Sequence, residues 1–438
     1  MKQAAPVEAE PLSVQQRPHS LLWFYPCCDP RVDIQMNFNK LKMMVGRKLA
    51  RNGLMRRLVE QRLLRRTVRP QGSYVAVLSM GRNGHSYSAA RAARALGRRV
   101  LLITDQPQLQ EMAYADALIP LDPLTDLEAI LTRLEGFKME AVVVSIKHLL
   151  LPAQAAIADK FGLISAGAET GLLNNDKFAW RKALDAAGVV QPEYSDQPEP
   201  FEGRACIRKP RSGTGSANVS LMTAQEEKLT AAERASGVEY FFEEMIEGDQ
   251  YDFEGVVEDG TPRVLSKVFE KYIPEQGTFA PRYFLFNAPI EAAREAALDR
   301  CLIETLAGSA VHNGAFHVEM RVRGDHAVPI DFANRMGYER LMTLASGEDF
   351  GQAHVNCFLR AKAEVKRGKK QAVVQFFCWT PDDFDIARAR MREHPRHVFD
   401  QVMVPHAFAS IHCLGMVTFQ ADTHEELAHI TAGLNVRG

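Results

Sequence analysis

Between Ala315 and Ala333 the chain reads AFHVEMRVRGDHAVPIDFA, and no other stretch restricts the fold as tightly. Phe316, Val318, Met320 and Val322 alternate with His317, Glu319, Arg321 and Arg323, the period of two that marks a β-strand with one apolar face. Gly324 and Asp325 supply a turn, and the pattern resumes with Val328, Ile330 and Phe332 against Pro329, Asp331 and Ala333. A hairpin turning about Asp325 sets Glu319 opposite Asp331 on its polar side, with Cβ atoms about 5 Å apart. Two carboxylates so placed repel each other. A hard divalent cation such as Mg²⁺, which takes one or two carboxylates together with nucleotide phosphates, would resolve that repulsion. The plainer alternative is a hairpin whose acids point to water. Arg335, four residues beyond Asp331, adds a planar donor suited to a carboxylate or an acyl phosphate.

Upstream, Tyr74–Ser79 (YVAVLS), the glycines Gly81 and Gly84, an alanine-rich helix over Ser86–Leu96 and a strand at Val100–Thr104 form a βαβ unit. A helix at Leu124–Leu134 and a buried-type strand at Ala141–Ile146 extend it, so 72–166 reads as a small open parallel sheet. GRNGHS lacks the G-x-G-x-x-G spacing, which argues against a dinucleotide site. A helix over about 175–187, closed by Gly188, carries Lys177 in its first turn, where free backbone N–H groups and the positive helix end suit a phosphate. An ordinary solvated lysine is the alternative. In ACIRKPRSGTGSANV, a strand bearing Lys209 enters a loop of Ser212, Gly213, Gly215 and Ser216 whose backbone can wrap phosphate oxygens, or which is simply a flexible hairpin. Glu239–Val257 reads as strand, turn at Gly248, strand, with Glu243 and Glu244 placed to accept bonds from an exocyclic amine. HEELAH, from His424 to His429, is no zinc motif, because five residues turn the two imidazoles about 140° apart on a helix.

Length and charge then bound the class of protein. The chain has 438 residues, room for about three structural units. With 53 basic and 54 acidic side chains and 46% apolar residues, it is neither disordered nor a coat for nucleic acid. The longest apolar stretch, about 141–153, is too short for a membrane span. The N-terminal residues carry acids and no apolar core, and seven cysteines without a CxxC pair suit reduced thiols, so a cytoplasmic location is expected. Residues 40–69 hold eleven Lys or Arg against the single acid Glu60, with Leu and Met at roughly helical spacing. Two short helices docked on the body are expected there, and recruitment of an acidic carrier protein is the alternative.

Taken in order, helix-start Lys177, strand Lys209 with its glycine loop, the EEMIEG stretch, and Glu319 and Asp331 followed by Arg335 resemble the ATP-grasp superfamily, in particular its carboxylate-amine ligases acting on amino acids. The resemblance spans about 74–350 and implies an α/β and α+β chain. Its parts would be a lead-in and basic arm (1–71), an open parallel α/β domain with a linker helix (72–188), a small lid (189–245), a catalytic antiparallel sheet (246–350) and a C-terminal extension (351–438). It implies ATP and Mg²⁺ as cofactors. Lys177, Lys209 and the loop residues Ser212, Gly213, Gly215 and Ser216 would hold phosphates, and Glu243 would receive the adenine amine. The backbone of Glu244 and Ile246 would form the adenine hinge, Gln250 would stand at the ribose, Glu319 and Asp331 would hold metal, and Arg335 would be catalytic. The activity implied is amide formation through an acyl phosphate, with small carboxylate and amine substrates as partners and a homodimer compatible. PIDFANR departs from the family's E-x-N-P-R, with Ala333 in the place of a metal-holding Asn and Asn334 one place along. The rival readings are a ligase that loads a carrier protein and an ATP-binding scaffold without turnover.

Overall fold

The computed structural model describes residues 54–68, 70–80, 87–213, 218–222, 237–273, 280–324, 326–402, 406–408 and 411–436. The basic segment contributes one described helix, α1 (Leu54–Val68), where two were expected; residues 40–53 lie outside the described part. Its Leu63 is buried and Val59 and Leu64 pack on the core, while Thr67 Oγ1 donates to the Leu118 carbonyl and accepts from the Leu118 amide. The arm therefore docks on a sheet edge through one side of the helix, and Arg56, Arg57, Arg62, Arg65 and Arg66 stay exposed.

The parallel sheet is present and one strand larger than expected. It is built of β1 (Ser73–Leu78), β2 (Arg99–Ile103), β3 (Ala117–Ile119) and β4 (Lys138–Val144) in the order β3-β2-β1-β4. Helices α2 (Tyr87–Ala95), α3 (Leu127–Leu134) and α4 (Leu151–Phe161) connect or cover it. The apolar runs of β1, β2 and β4 are continuous because both faces are covered, as in parallel sheets generally. Only three residues long, β3 carries too little pattern to be read from sequence.

The expected helix at about 175–187 is α6 (Lys177–Ala186), and a further helix, α5 (Ala168–Asn175), precedes it. Asp176 breaks them apart by taking extended backbone and accepting the amides of Phe178 and Ala179 as the N-cap of α6. Gly188 has φ +72° just after α6, as a helix stop requires.

A small antiparallel sheet follows, with β5 (Tyr194–Ser195), β6 (Cys206–Pro210), β7 (Ser220–Met222) and β8 (Tyr240–Glu244) in the order β5-β8-β6-β7. Past Gly248 the chain leaves this sheet, so β8 and β9 (Gln250–Glu258) belong to different sheets. The large sheet contains β9, β10 (Thr261–Ile273), β11 (Ala280–Phe286), β12 (Gly314–Arg323) and β13 (His326–Ala333). It continues through β14 (Ala372–Cys378), β15 (Val398–Val402) and β18 (Gly415–Ala421), in the order β13-β12-β9-β10-β11-β14-β18-β15. The chain beyond residue 350 thus completes this sheet; β16 (His406–Phe408) and β17 (Ile411–Cys413) pair separately. Alternation sends Val256, Val268, Phe284 and Phe286 to the core shared with the parallel domain, and Phe253, Phe269, Tyr283 and Leu285 to a second core under α7 (Ala292–Gly308). Helices α8 (Glu339–Ser346) and α9 (Phe350–Cys357) line the first core, and α10 (Pro381–Glu393) and α11 (His424–Ile430) the second.

Candidate active site

The hairpin of β12 and β13 pairs Glu319 with Asp331, but by a different route from the simple turn about Asp325. Arg323 pairs with His326, so the turn holds only two residues, and from Met320 outward the register is one residue shorter than that turn implies. A bulge at Ile330 restores it. Ala327 and Phe332 therefore share the apolar face opposite Val322 and Val318, and Val328 faces Arg321 on the polar side, which corrects the grouping of Val328 with Phe332. β13 is an edge strand, where Pro329 removes no ladder bond that the sheet needs.

The bulge also directs backbone carbonyls. Ile330 O accepts Lys209 Nζ at 2.8 Å and Arg181 at 3.2 Å, and Pro329 O accepts Arg181 at 2.9 Å. Arg181, with no exposed side-chain surface, and Lys209 both close on Glu243, the former at 2.8 Å. Burial opposes ionisation of Glu243, yet Arg181 and Lys209 hold its carboxyl below the usual value. Glu243 thus sets Lys209 in place. Arg181, one helical turn after Lys177, was not singled out in the sequence, although the i, i+4 spacing puts both cations on one side of α6.

Lys177 contacts Asp331 directly, and although burial opposes it, Lys177 and Lys209 hold the Asp331 carboxyl well below the ordinary range. The amides at the start of α6 are not free, contrary to the expectation of a phosphate site made of backbone. Lys177 N donates to Arg211 O at 2.8 Å, and Asp176 takes the next two N–H groups while also binding the Arg211 guanidinium. At this helix start the group that can meet an anion is the Lys177 ammonium, which here contacts Asp331. Ser212 is exposed and Gly213 half-buried at the end of β6; Gly215 and Ser216 lie outside the described residues.

Below these cations, β9, β10 and β12 carry Gln250, Asp252 and Glu254, then Glu270 and Tyr272, then His317, Glu319 and Arg321, all on the sheet face that continues into Val256 and Ala315 of the first core. Gln250 Nε2 donates to Glu270 (3.0 Å), Tyr272 (3.2 Å) and Glu319 (3.3 Å), while its carbonyl accepts Arg321. The amide that the resemblance sets beside a ribose is thus committed within an acidic group. Arg321 also donates to Ile246 O at 2.7 Å, anchoring the link between small and large sheets, and the Glu244 side chain pairs with Arg323 at 2.6 Å. Asp252 is 1% exposed and neither carboxylate oxygen meets a donor. Burial first, then Glu270 and Glu319, push its carboxyl well up.

His317 bridges the acids, with Nδ1 2.9 Å from Glu254 and Nε2 3.3 Å from Glu319. Burial disfavours its imidazolium, but the bonds to Glu254 and Glu319 raise it to about 9. Gly337 makes room for Glu254: a Cβ there would stand 2.1 Å from Glu254 Oε1. Glu319 and Asp331 offer only oxygen donors across one strand pair, a set that suits Mg²⁺. Ala333 offers no donor. Asn334 is buried with Nδ2 on Asn313 O and Ala315 O, while its Oδ1 meets no hydrogen-bond donor.

Arg335 donates to Met336 O, and its charge reaches Lys147, His148 and His317. His148 follows β4, at the C-terminal edge where open parallel sheets bind ligands. Burial, then Arg335 and Lys177, push its imidazole down to about 3, and its buried Nδ1 has no hydrogen-bond partner. No motif flagged Lys147 or His148, since only the docking of two domains brings them beside Arg335.

The ATP-grasp domain family matches residues 203–341, which hold β6 to β8 of the small sheet and β9 to β13 of the large one. An L-amino acid ligase from Bacillus licheniformis superposes with a TM-score of 0.65 at 16% identity, over 83% of this chain and 97% of that one. A carboxyaminoimidazole ribonucleotide synthase from Aspergillus clavatus, complexed with ATP, gives 0.61 at 15% over 82% and 97%. The N5-carboxyaminoimidazole synthetase of Staphylococcus aureus, complexed with ADP, gives 0.59 at 13% over 83% and 97%. No curated protein matches the chain in sequence. Among the described residues no helix is long and apolar enough to cross a membrane. Residues 203–341 thus match the ATP-grasp domain family, and the chain shares its fold with the three solved enzymes above.

Proposed function

We propose that this chain is an ATP-dependent ligase joining a small carboxylate, an amino acid, to an amine. The supporting observation is the convergence on one face of Lys177 against Asp331, Lys209 against Glu243 and the Ile330 carbonyl, and Glu319 opposite Asp331, with Arg335 beside His148. Lys177 and Lys209 orient the phosphates, Glu243, whose oxygens are taken by Arg181 and Lys209 and not left for the adenine amine as expected, holds Lys209 in place beside the Glu244–Ile246 hinge, and Glu319 and Asp331 would hold Mg²⁺. That ion would neutralise charge on the transferring phosphoryl group.

The substrate carboxylate oxygen attacks the γ-phosphorus and ADP departs. The amine nitrogen then attacks the acyl carbon, phosphate leaves, and the nitrogen loses a proton. Arg335 stabilises the negative charge of the acyl phosphate and the tetrahedral intermediate. His148, uncharged at neutral pH with a free ring nitrogen, contacts the carboxylate substrate on the side of the parallel domain.

The test is a matrix of amino-acid pairs with Mg²⁺-ATP, scored by phosphate release and product mass. Activity that falls about a thousandfold in Glu319→Gln supports the reading. Nucleotide binding without phosphate release for any pair leaves the scaffold reading in its place. The five exposed arginines of α1 favour a second reading, transfer to an acidic carrier protein. Turnover that requires such a carrier and falls with salt would establish it.

A further inference from the structure

Asp252 poses a problem that the nucleotide site does not solve. Its carboxyl group is 1% exposed, and neither oxygen meets an N–H donor or a cation at bonding distance; its contact is with a second acid, Glu270. A buried carboxylate with no donor is destabilising unless a cation sits against it. The surroundings supply none that reaches it well. Arg321 spends its guanidinium on Gln250 and the Ile246 carbonyl, and Glu270 and Glu319 add further negative charge. His317 Nε2 approaches only to 3.9 Å.

We infer that Asp252, His317 and Glu319 form a transition-metal site that shares Glu319 with the Glu319–Asp331 pair, does not need Asp331 and is able to fill without nucleotide. One ligand atom from each of the three residues can be chosen so that all lie within 4.8 Å of one another. His317 Nε2 is 3.3 Å from Glu319 Oε1 and 3.9 Å from Asp252 Oδ2. An ion with bonds of about 2.1 Å separates its ligand atoms by about 3.0 Å at right angles and about 3.4 Å tetrahedrally, so a small closure of the Asp252 side suffices.

The second ring nitrogen carries the argument further. Glu254, with no exposed surface, holds His317 Nδ1 at 2.9 Å, and its other contact is the Gly337 amide at 3.2 Å. A buried carboxylate on the far nitrogen of a histidine fixes the tautomer with the proton on Nδ1 and turns the Nε2 lone pair outward, the arrangement that accompanies metal-bound histidines. In the metal-free chain Nε2 faces Glu319 and Asp252, and a metal ion would take the place of the Nε2 proton and turn these three groups into a ligand set. One imidazole and two carboxylates suit Mn²⁺, Fe²⁺ or Zn²⁺ better than the all-oxygen preference of Mg²⁺ or Ca²⁺.

The test uses Mn²⁺ alone, without ATP, on the full chain stripped with chelator, by equilibrium dialysis and electron spin echo measurements. The expected result is one tightly bound Mn²⁺ per chain with a ¹⁴N coupling from a coordinated imidazole. His317→Gln and Asp252→Asn should lose that binding, Glu254→Gln should weaken it by about 10–100-fold, and Asp331→Asn should leave it intact. Melting in chelator checks that each variant is folded. Absence of a nitrogen coupling, or binding that survives His317→Gln and Asp252→Asn but disappears in Asp331→Asn, overturns the inference. Failure of ligase activity would leave this result unaffected, because no turnover is measured.

Discussion

At the lid end of the site, Arg181 and Lys209 close on Glu243 and Lys177 closes on Asp331, while the bulged carbonyls of Pro329 and Ile330 absorb the remaining donors. On the sheet floor a few residues away, Asp252, Glu254, Glu270 and Glu319 crowd around His317, and Asp252 meets no donor at all. Both regions are buried and charged, so burial does not distinguish them. The difference is whether the protein supplies the counter-charge. A buried pair complete within the chain is a fixed scaffold whose members cannot be removed singly without leaving a bare charge. A buried acid group left short of cations is built for something that arrives, and its members can be neutralised with a gain in stability of the empty protein.

The largest effect expected is at the scaffold. Arg181→Met should destabilise the protein by about 3 kcal/mol in urea titrations, the lower end for a broken buried pair because Lys209 stays with Glu243. The pH dependence should follow. The folded Glu243 carboxyl lies below its ordinary 4.5, so its stabilisation is complete above that value and is lost as pH falls through the lower folded pKa. In Arg181→Met that acid-side loss should begin at higher pH; an unchanged acid limb would show that the pair carries no such weight.

Next is Arg335, which donates to Met336 O and forms no ion pair among the described residues. Arg335→Ala should lower turnover by about 100-fold with nucleotide affinity unchanged, as for a group that meets charge developing in the transition state. Equal loss of ATP affinity in Arg335→Ala and Lys209→Ala would erase this division of labour. On the floor the sign reverses. Asp252→Asn in chelator should stabilise the protein by about 2 kcal/mol, because an amide replaces a carboxylate that has no donor. Destabilisation there would remove the contrast between the two regions. The smallest effect is expected for Arg323→Ala, which breaks the exposed pair with Glu244: no more than about 1 kcal/mol by thermal melting.

Much of the architecture follows from local pattern. Alternation marks β12 and β13 because a strand must put every second residue on the same face, and Gly188 marks the end of α6 because few other residues take positive φ there. The order of Lys177, Lys209, Glu243, Glu319, Asp331 and Arg335 is likewise legible along the chain. What escaped is whatever depends on contacts between distant segments. The Ile330 bulge is invisible to a period of two, yet it restores the Glu319–Asp331 pairing and turns two carbonyls toward Arg181 and Lys209. The continuation of the large sheet into β14, β18 and β15 requires pairing with β11, about a hundred residues away in the case of the first of them. His148 comes beside Arg335, and Glu254 behind His317, only when strands and domains are assembled. Sequence thus determined which residue types stand on which face of each element. Tertiary structure decided which charges meet a partner and which do not, because Coulomb and hydrogen-bond energies depend on separations of a few ångströms that no one-dimensional spacing specifies.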